Sequence, residues 1–184
     1  FLASAFASGP ALLILICLVL KRTTRFDAGQ EAIQKLATIV TYAMLTTLFF
    51  VLMEVFTAVY SGIPEHMAHF QYLFLGLDGH AELVPWMWAG LALAVVALAI
   101  LLRPSVRTQS SWLATACVAT VISVWIEKGL GMVVAGFNPS PLGHVTRYVP
   151  SAPEGLIGLG VYGIGALIVT ILYKTALSVR GEVA

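Results

Sequence analysis

The sequence WIEKGLG at residues 125–131 places an acid and a base side by side near the end of an otherwise apolar stretch. Charged side chains are costly within a bilayer, so Glu127 and Lys128 each need a partner or a function. Neighbouring positions of an α-helix point about 100° apart, and we therefore expect the two side chains to have separate partners. Two interpretations stay open: Glu127 accepts protons at the end of a helix bundle, or an ion pair, such as Lys128 with Glu154 or Glu54, fixes the loop that follows.

The composition of the chain is that of a multi-pass membrane protein. Of its 184 residues, 59% are hydrophobic and only 10% are charged, and the mean hydropathy is +0.93. A soluble domain carries roughly 25% charged residues. The net charge is +1 and the cations form no basic stripe, so we exclude nucleic acid as a partner.

Five apolar stretches are long enough to cross a bilayer, which takes about 20 residues. We predict a single all-α transmembrane domain with spans at residues 1–20, 36–60, 84–102, 112–137 and 154–177. Between the first two spans, Asp27, Glu31 and Lys35 stand four residues apart, which predicts a short surface helix. Residues 61–83 and 136–153 are more polar and are predicted to be loops, the second because it contains four prolines.

The cations near the span ends predict the orientation of the chain. Eight of them fall on one side of the predicted membrane and two on the other, which places the larger group and the C-terminus in the cytoplasm. The loops 61–83 and 136–153 then face outward. The larger group comprises Lys21, Arg22, Arg25, Lys35, Arg103, Arg107, Lys174 and Arg180, and the smaller one Lys128 and Arg147.

Glu54 is the one charge within the second span, at a depth similar to that of Glu127. It borders a broad polar helix face that includes Tyr42, Thr46 and Thr57. An acid in such a place suits proton transfer. The alternative is an interhelical hydrogen bond that only holds the packing.

The pair His66 and His69 lies in the loop at 61–83, close to Tyr72. A single H-x-x-H is weak support for a metal site, and we assign none. Haem b would need histidines deep within the spans. We expect instead that these three side chains contact an external partner or a quinone, or that the histidines are solvated loop residues.

The fifth span contains Gly158-x-Gly160-x-x-Gly163, the spacing of a dinucleotide-binding turn. That turn needs a preceding strand and a helix that opens on the phosphates. Here the capping box Ser151-x-x-Glu154 predicts that the helix has already begun. We interpret the glycines as a small-residue face for helix packing.

Several motifs lie along the chain in a characteristic order. WIEKGLG is followed by Gly136-Phe137-x-Pro139-Ser140-Pro141-Leu142-Gly143, by Tyr148-x-Pro150 and by Glu154. Before it stand Phe1-Leu-Ala-Ser4-Ala5-x-Ala-Ser8-Gly9, Glu54-Val-Phe56-Thr57, Gln71-Tyr72-Leu73 and Val84-Pro85-Trp86. Together these motifs resemble the NrfD/PsrC family of quinone-interacting membrane subunits, and most of all its DsrP/HmcC branch from sulfur-metabolising complexes.

This resemblance implies an eight- to ten-helix bundle without cofactors of its own, of which about five helices would form the C-terminal half. The chain is already apolar at Phe1 and has no initial methionine, so we also expect a piece of a longer protein. The resemblance implies a prokaryotic cytoplasmic (inner) membrane and menaquinone or ubiquinone as substrate. It further implies that this chain binds no haem or iron–sulfur cluster. The implied partners are a ferredoxin-like iron–sulfur subunit at the outer face and other membrane and cytochrome subunits.

The resulting hypothesis is a quinone-interacting subunit of an electron-transfer complex, not active alone. Glu54 and Glu127 would transfer protons, with Lys128 as their electrostatic partner. A non-catalytic membrane anchor for the redox subunits is the first alternative. An ion pathway or transporter is the second, disfavoured because the inner halves of the spans lack charges.

Overall fold

The computed structural model of the chain describes residues 1–24, 26–77, 79–137 and 151–183. Five helices in these ranges are long and apolar enough to cross a membrane, which confirms the all-α membrane class. The α-helices are α1 (Leu2–Thr23), α2 (Gln30–Ser61), α3 (Pro64–Phe74), α4 (Val84–Leu101), α5 (Pro104–Arg107), α6 (Ser110–Trp125) and α7 (Ala152–Val183). A π-helix (Ile126–Val134) and a 3-10 turn (Ala135–Phe137) continue α6.

Helix α2 is longer than the predicted second span. It begins at Gln30, so the separate surface helix predicted before it is wrong: Asp27 precedes α2, and Glu31 and Lys35 pair in its first turns at 2.7 Å. Residues 30–36 contain no helix breaker, and their good helix formers simply extend the span. The 32 residues of α2 measure about 48 Å, against roughly 30 Å of hydrocarbon.

Helix α3 lies within the segment predicted to be a loop. Helix α2 ends at Gly62, whose left-handed conformation (φ 62°) suits glycine. Two residues later Pro64 opens α3, where its fixed φ and missing N–H are tolerated. Met67, Phe70 and Phe74 then recur at helical spacing, a pattern that the polar composition of the segment obscured. Of the other predicted loop, 136–153, residues 138–150 lie outside the described ranges.

Four helices, α1, α2, α4 and α6, share the main hydrophobic core. Small side chains such as Ala7, Ala11 and Ala116 are fully buried there, and small residues allow membrane helices to approach closely. Larger core residues are Ile14, Ile33, Met44, Leu101 and Leu113.

The two ends of this bundle have different polar contacts. At one end, here the Arg107 end, the amides of Gln30 and Gln34 donate to the carbonyls of Thr108 and Arg107, both at 3.3 Å. The opposite end, here the Glu127 end, holds the start of α1, the last turns of α2 and the π-helix. A second core lies there, made of Tyr72, Leu73, Met87, Ile126 and Ala135.

Helices α3 and α4 are joined by side-chain contacts at the Glu127 end. The Trp88 indole nitrogen donates to the carbonyl of Phe74 at 3.1 Å. The Phe74 and Trp88 rings also pack edge to face, with centroids 5.7 Å apart. These contacts fix α3 against the transmembrane helices, so α3 is a defined wall of the bundle.

Asp27 holds the connector between α1 and α2. Its carboxylate accepts from the Lys21 ammonium at 2.9 Å and from the Gly29 backbone N–H at 3.0 Å, and these bonds hold its pKa below the ordinary 3.8. The stabilisation from these bonds is therefore present at pH values above the ordinary pKa and is lost as the pH falls through the lowered pKa.

We expect Asp27→Asn to reduce the thermal midpoint by no more than about 2 °C near neutral pH, because the pair is half exposed. The difference from wild type should vanish in strong acid; a difference independent of pH would contradict this role.

Helix α7 belongs to a second unit of the chain and is described by itself. The Ser151 backbone N–H donates to the Glu154 carboxylate at 2.7 Å, so the carboxylate arm of the predicted capping box is confirmed. Gly158, Gly160 and Gly163 lie inside this continuous helix. The glycine motif is therefore not a phosphate-binding turn at the start of a helix.

Candidate functional site

A cavity of about 260 Å³ opens at the Glu127 end, between α2, α3, α4 and the π-helix. Its walls are mostly apolar. Its polar side chains are Thr47, Glu54, His69, Ser123, Glu127 and Lys128. Four of the six residues proposed from the sequence as site residues thus line one space, although they come from three separate helices.

Glu127 and Lys128 form an ion pair with each other, contrary to the expectation of separate partners. The Lys128 ammonium lies 2.7 Å from a Glu127 carboxylate oxygen, and the two side chains are only about a quarter exposed (24% and 25%). The expectation assumed an α-helix. In a π-helix each hydrogen bond spans five residues, so adjacent side chains diverge less and can meet. Each charge is therefore compensated at the cavity wall.

The π-helix is positioned by two close approaches to α4. A methyl group added at Gly90 would lie 3.0 Å from the Ile126 side chain, and one added at Gly131 would lie 3.0 Å from the end of Met87. The Ser123 hydroxyl also donates to the carbonyl of Gly90 at 2.8 Å. These contacts hold the start of the π-helix directly beside α4.

Two polar residues, Ser123 and Thr120, lie about one and two turns before Glu127, and their surroundings differ. Ser123 lines the cavity while its hydroxyl bonds to α4. One turn further in, the Thr120 hydroxyl is fully buried and has no hydrogen-bond partner among the described residues. On this side of the cavity, Ser123 and Glu127 are therefore part of the lining, whereas Thr120 is not.

Glu54 borders three spaces at once. It lines the cavity, a groove toward α3 and a third groove between α1 and α2. On the predicted polar face of α2, Thr46 and Thr57 donate their hydroxyls to carbonyls of their own helix, at 2.9 and 2.7 Å. Among the described residues, Glu54 is thus the acid that lines all three spaces.

We call the groove toward α3 the histidine groove. Its volume is about 620 Å³, and it is lined by Phe50, Met53, Glu54, Thr57, Ala58, His66, His69 and Phe70. His69 belongs to both the cavity and this groove, whereas His66 is exposed and belongs to the groove alone. Both histidines were assigned to a loop, but α3 places them one turn apart along a wall of the site.

We call the groove between α1 and α2 the apolar groove. Its volume is about 800 Å³, and its lining includes the large apolar side chains of Phe1, Leu2, Phe6, Ile39 and Phe50 and the hydroxyls of Ser4, Tyr42, Thr46 and Thr47. Glu54, Glu127 and Lys128 close one end of it. A long apolar chain in this groove would have its polar end at the ion pair.

Tyr72 is placed differently from the other predicted site residues. Its side chain is 5% exposed and packs in the second core with Leu73 and Met87. It does not line the cavity. Residues that sequence reasoning missed as cavity walls include Met87 and Gly90, which the apolar composition of α4 did not distinguish from lipid-facing positions.

Comparison with known proteins identifies the family. A family model described as polysulphide reductase, NrfD, matches residues 1–136, which include every residue that lines the cavity. The chain belongs to the NrfD family. This NrfD-family chain is 28% identical over 193 aligned positions to a putative dimethyl sulfoxide reductase membrane subunit from Halobacterium salinarum.

That alignment covers 92% of the chain and 42% of the Halobacterium protein, so the chain spans less than half of this relative's length. No solved structure matches the chain. The family and the five apolar helices establish a multi-pass membrane protein.

Proposed function

We propose that this chain is part of a membrane subunit of a reductase complex that binds a quinone or quinol in the cavity. The observation that carries the proposal is the placement of Glu127, Lys128 and Glu54 around one largely apolar space. Ligand sites of this kind combine apolar walls with a few polar groups that orient the ligand. The NrfD family and the Halobacterium relative support a role in a reductase complex.

The chemistry of a quinol accounts for both the charges and the apolar walls. Oxidation of a quinol to a quinone releases two electrons and two protons. The electrons would leave to a partner subunit that docks at the Glu127 end, which we place at the outer face of the membrane, and an iron–sulfur cluster in that subunit would supply the electron acceptor. The protons pass to Glu127 and Glu54, and reduction of a quinone reverses each transfer. Menaquinone and ubiquinone both fit this scheme.

The ion pair prepares Glu127 for this role. The Lys128 ammonium, 2.7 Å away, compensates the negative charge of the Glu127 carboxylate before it accepts a proton. When a quinol hydroxyl or a quinone carbonyl lies in the cavity, the ammonium offers further N–H donors to its oxygen. The isoprenoid tail of the substrate would occupy the apolar groove, whose end is closed by the same three charged residues.

Photoaffinity labelling of the whole complex with an azidoquinone tests this proposal. We expect labelled peptides from residues 44–54, 69–74 and 123–132, with protection by excess quinone. Leu91→Trp places a large ring in the cavity and should lower the labelling at least about fivefold. Val95→Trp, on the exposed face of the same helix, is the matched control and should label normally.

Three results would contradict the proposal: no protected label in these segments, label only at the Arg107 end, or equal effects of the two tryptophans. Normal complex assembly in the absence of protected label would favour the alternative of a non-catalytic membrane anchor.

A further inference from the structure

The cavity and the histidine groove share a wall made of three side chains, Glu54, His69 and Phe70. The groove then continues between the last turns of α2 and helix α3, past Thr57 to His66. His69 is partly buried and His66 is exposed. Three side chains that can bind and release protons, Glu54, His69 and His66, therefore line one groove beside the cavity, and Glu54 is itself exposed.

We propose that protons move between the cavity and the aqueous surface through the histidine groove, from Glu54 to His69 and then to His66. This inference rests on the proposed function, because it concerns the protons of the quinol. A carboxylate and an imidazole can each accept a proton from one side and release it to the other. Histidine is the side chain best suited to do so near neutral pH. Water that enters the groove would complete the hydrogen-bonded chain.

The two grooves differ in the side chains that line them. We therefore assign proton transfer to the histidine groove and the isoprenoid tail of the quinone to the apolar groove. The apolar groove is bounded largely by phenylalanine and aliphatic side chains and also by the hydroxyls of Ser4, Tyr42, Thr46 and Thr47, but its described lining includes no imidazole. The histidine groove has two imidazoles and the Thr57 hydroxyl, which donates to the Met53 carbonyl and so remains free to accept. Glu54 is where the two grooves and the cavity meet. A proton taken up at Glu54 can therefore leave without crossing the path of the tail.

The surroundings of His69 suit a relay. Phe70 packs at right angles to its ring, with centroids 5.9 Å apart, and limits the directions that the imidazole can take. Among the described side chains, the charged or titratable groups that share its two spaces are Glu54 of α2, Glu127 and Lys128 of the π-helix, and His66 of α3 itself.

The test uses His69→Gln in the complete complex, with azidoquinone labelling, quinol-linked electron transfer and its pH profile as three readouts. We expect labelling within about twofold of wild type, electron transfer lowered at least about tenfold, and an altered pH profile. Imidazole added to the buffer should restore part of the rate. His66→Gln should have a smaller effect, because water can replace the outermost group. His80→Gln is the control, since His80 lies outside the groove beside Glu82, at 3.6 Å.

Several outcomes would overturn the proposed proton path. Unchanged rate and pH profile in His69→Gln would overturn it, and so would loss of labelling in that variant, which would make His69 a quinone contact. A reduced rate that imidazole does not restore, with an unchanged pH profile, would also overturn it. Absence of labelling in the wild type would instead remove the proposed function, and the inference with it.

Discussion

Glu127→Gln should lower quinol-linked electron transfer by roughly 100-fold, the usual scale for loss of a positioned proton acceptor, while the complex should still assemble. The glutamine amide keeps the size of the side chain but can no longer take up a proton. It also leaves the Lys128 ammonium, only 24% exposed, without its carboxylate at 2.7 Å. The rate should be measured with a short-chain quinol in the complete complex, and assembly by co-purification of the partner subunits.

A double variant separates the two effects of that substitution. Glu127→Gln with Lys128→Met removes both charges, so no uncompensated ammonium remains at the cavity wall. If the defect comes from the missing proton acceptor, the double variant stays at least as slow as the single one. If it comes from the unpaired cation, the double variant recovers to the rate of Lys128→Met alone, because Lys128 is also a donor to the quinone. Glu31→Gln is the control, because Glu31 pairs with Lys35 at the exposed start of α2.

Other outcomes would assign Glu127 a different role. Normal turnover in Glu127→Gln would remove this residue from the mechanism. Loss of assembly, with normal turnover of the complexes that do form, would favour the membrane anchor.

The meeting of Glu54 and Glu127 at one end of the bundle could be predicted from the sequence. Both acids lie near the C-terminal ends of their spans, and the second and fourth spans of an antiparallel bundle run in the same direction. The acids must then lie at the same membrane face. The spans are recognised from the length of their apolar runs alone. The all-α membrane class could therefore be predicted without knowledge of how the helices pack.

The change from α-helix to π-helix at residues 126–134 could not be predicted from the sequence in this way. An α-helix through residues 112–137 satisfies the apolar pattern as well as the observed α-to-π change does, because hydropathy does not distinguish the two hydrogen-bond registers. The incorrect assignment of separate partners to Glu127 and Lys128 followed from that assumption. In the structure, the π-helix approaches α4 closely at Gly90 and Gly131, a tertiary contact that hydropathy does not reveal.

Helix α3 was missed for a related reason. The signals that open it were visible, namely Gly62, then Pro64, then apolar residues at helical spacing. Its polar and aromatic composition suggested an interfacial loop instead. The consequence is functional, since α3 turns His69 toward the cavity and buries Tyr72 in the second core.

Gly90→Ala should lower the stability of the membrane domain by about 1–3 kcal/mol, the usual cost of an overpacked core. Its new methyl group would lie 3.0 Å from Cγ2 and 3.3 Å from Cβ of Ile126, which is only 4% exposed. A β-branched side chain has few rotamers with which to move aside, so the π-helix must shift away from α4. That shift would also stretch the 2.8 Å bond from Ser123 to the Gly90 carbonyl. The intrinsic preference of a helix for alanine over glycine, about 0.5–1 kcal/mol, offsets only part of this cost.

Gly129→Ala is the matched control for this prediction. Its methyl group would make an ordinary contact with the Trp125 ring, at 3.8 Å. Thermal unfolding in lipid nanodiscs, followed by tryptophan fluorescence, should show a clear loss of stability for Gly90→Ala and little change for Gly129→Ala. Because the same contact positions Glu127 and Lys128, azidoquinone labelling should fall only in the Gly90 variant. Equal stability and equal labelling of the two variants would mean that the approach of α4 to Ile126 does not position the site.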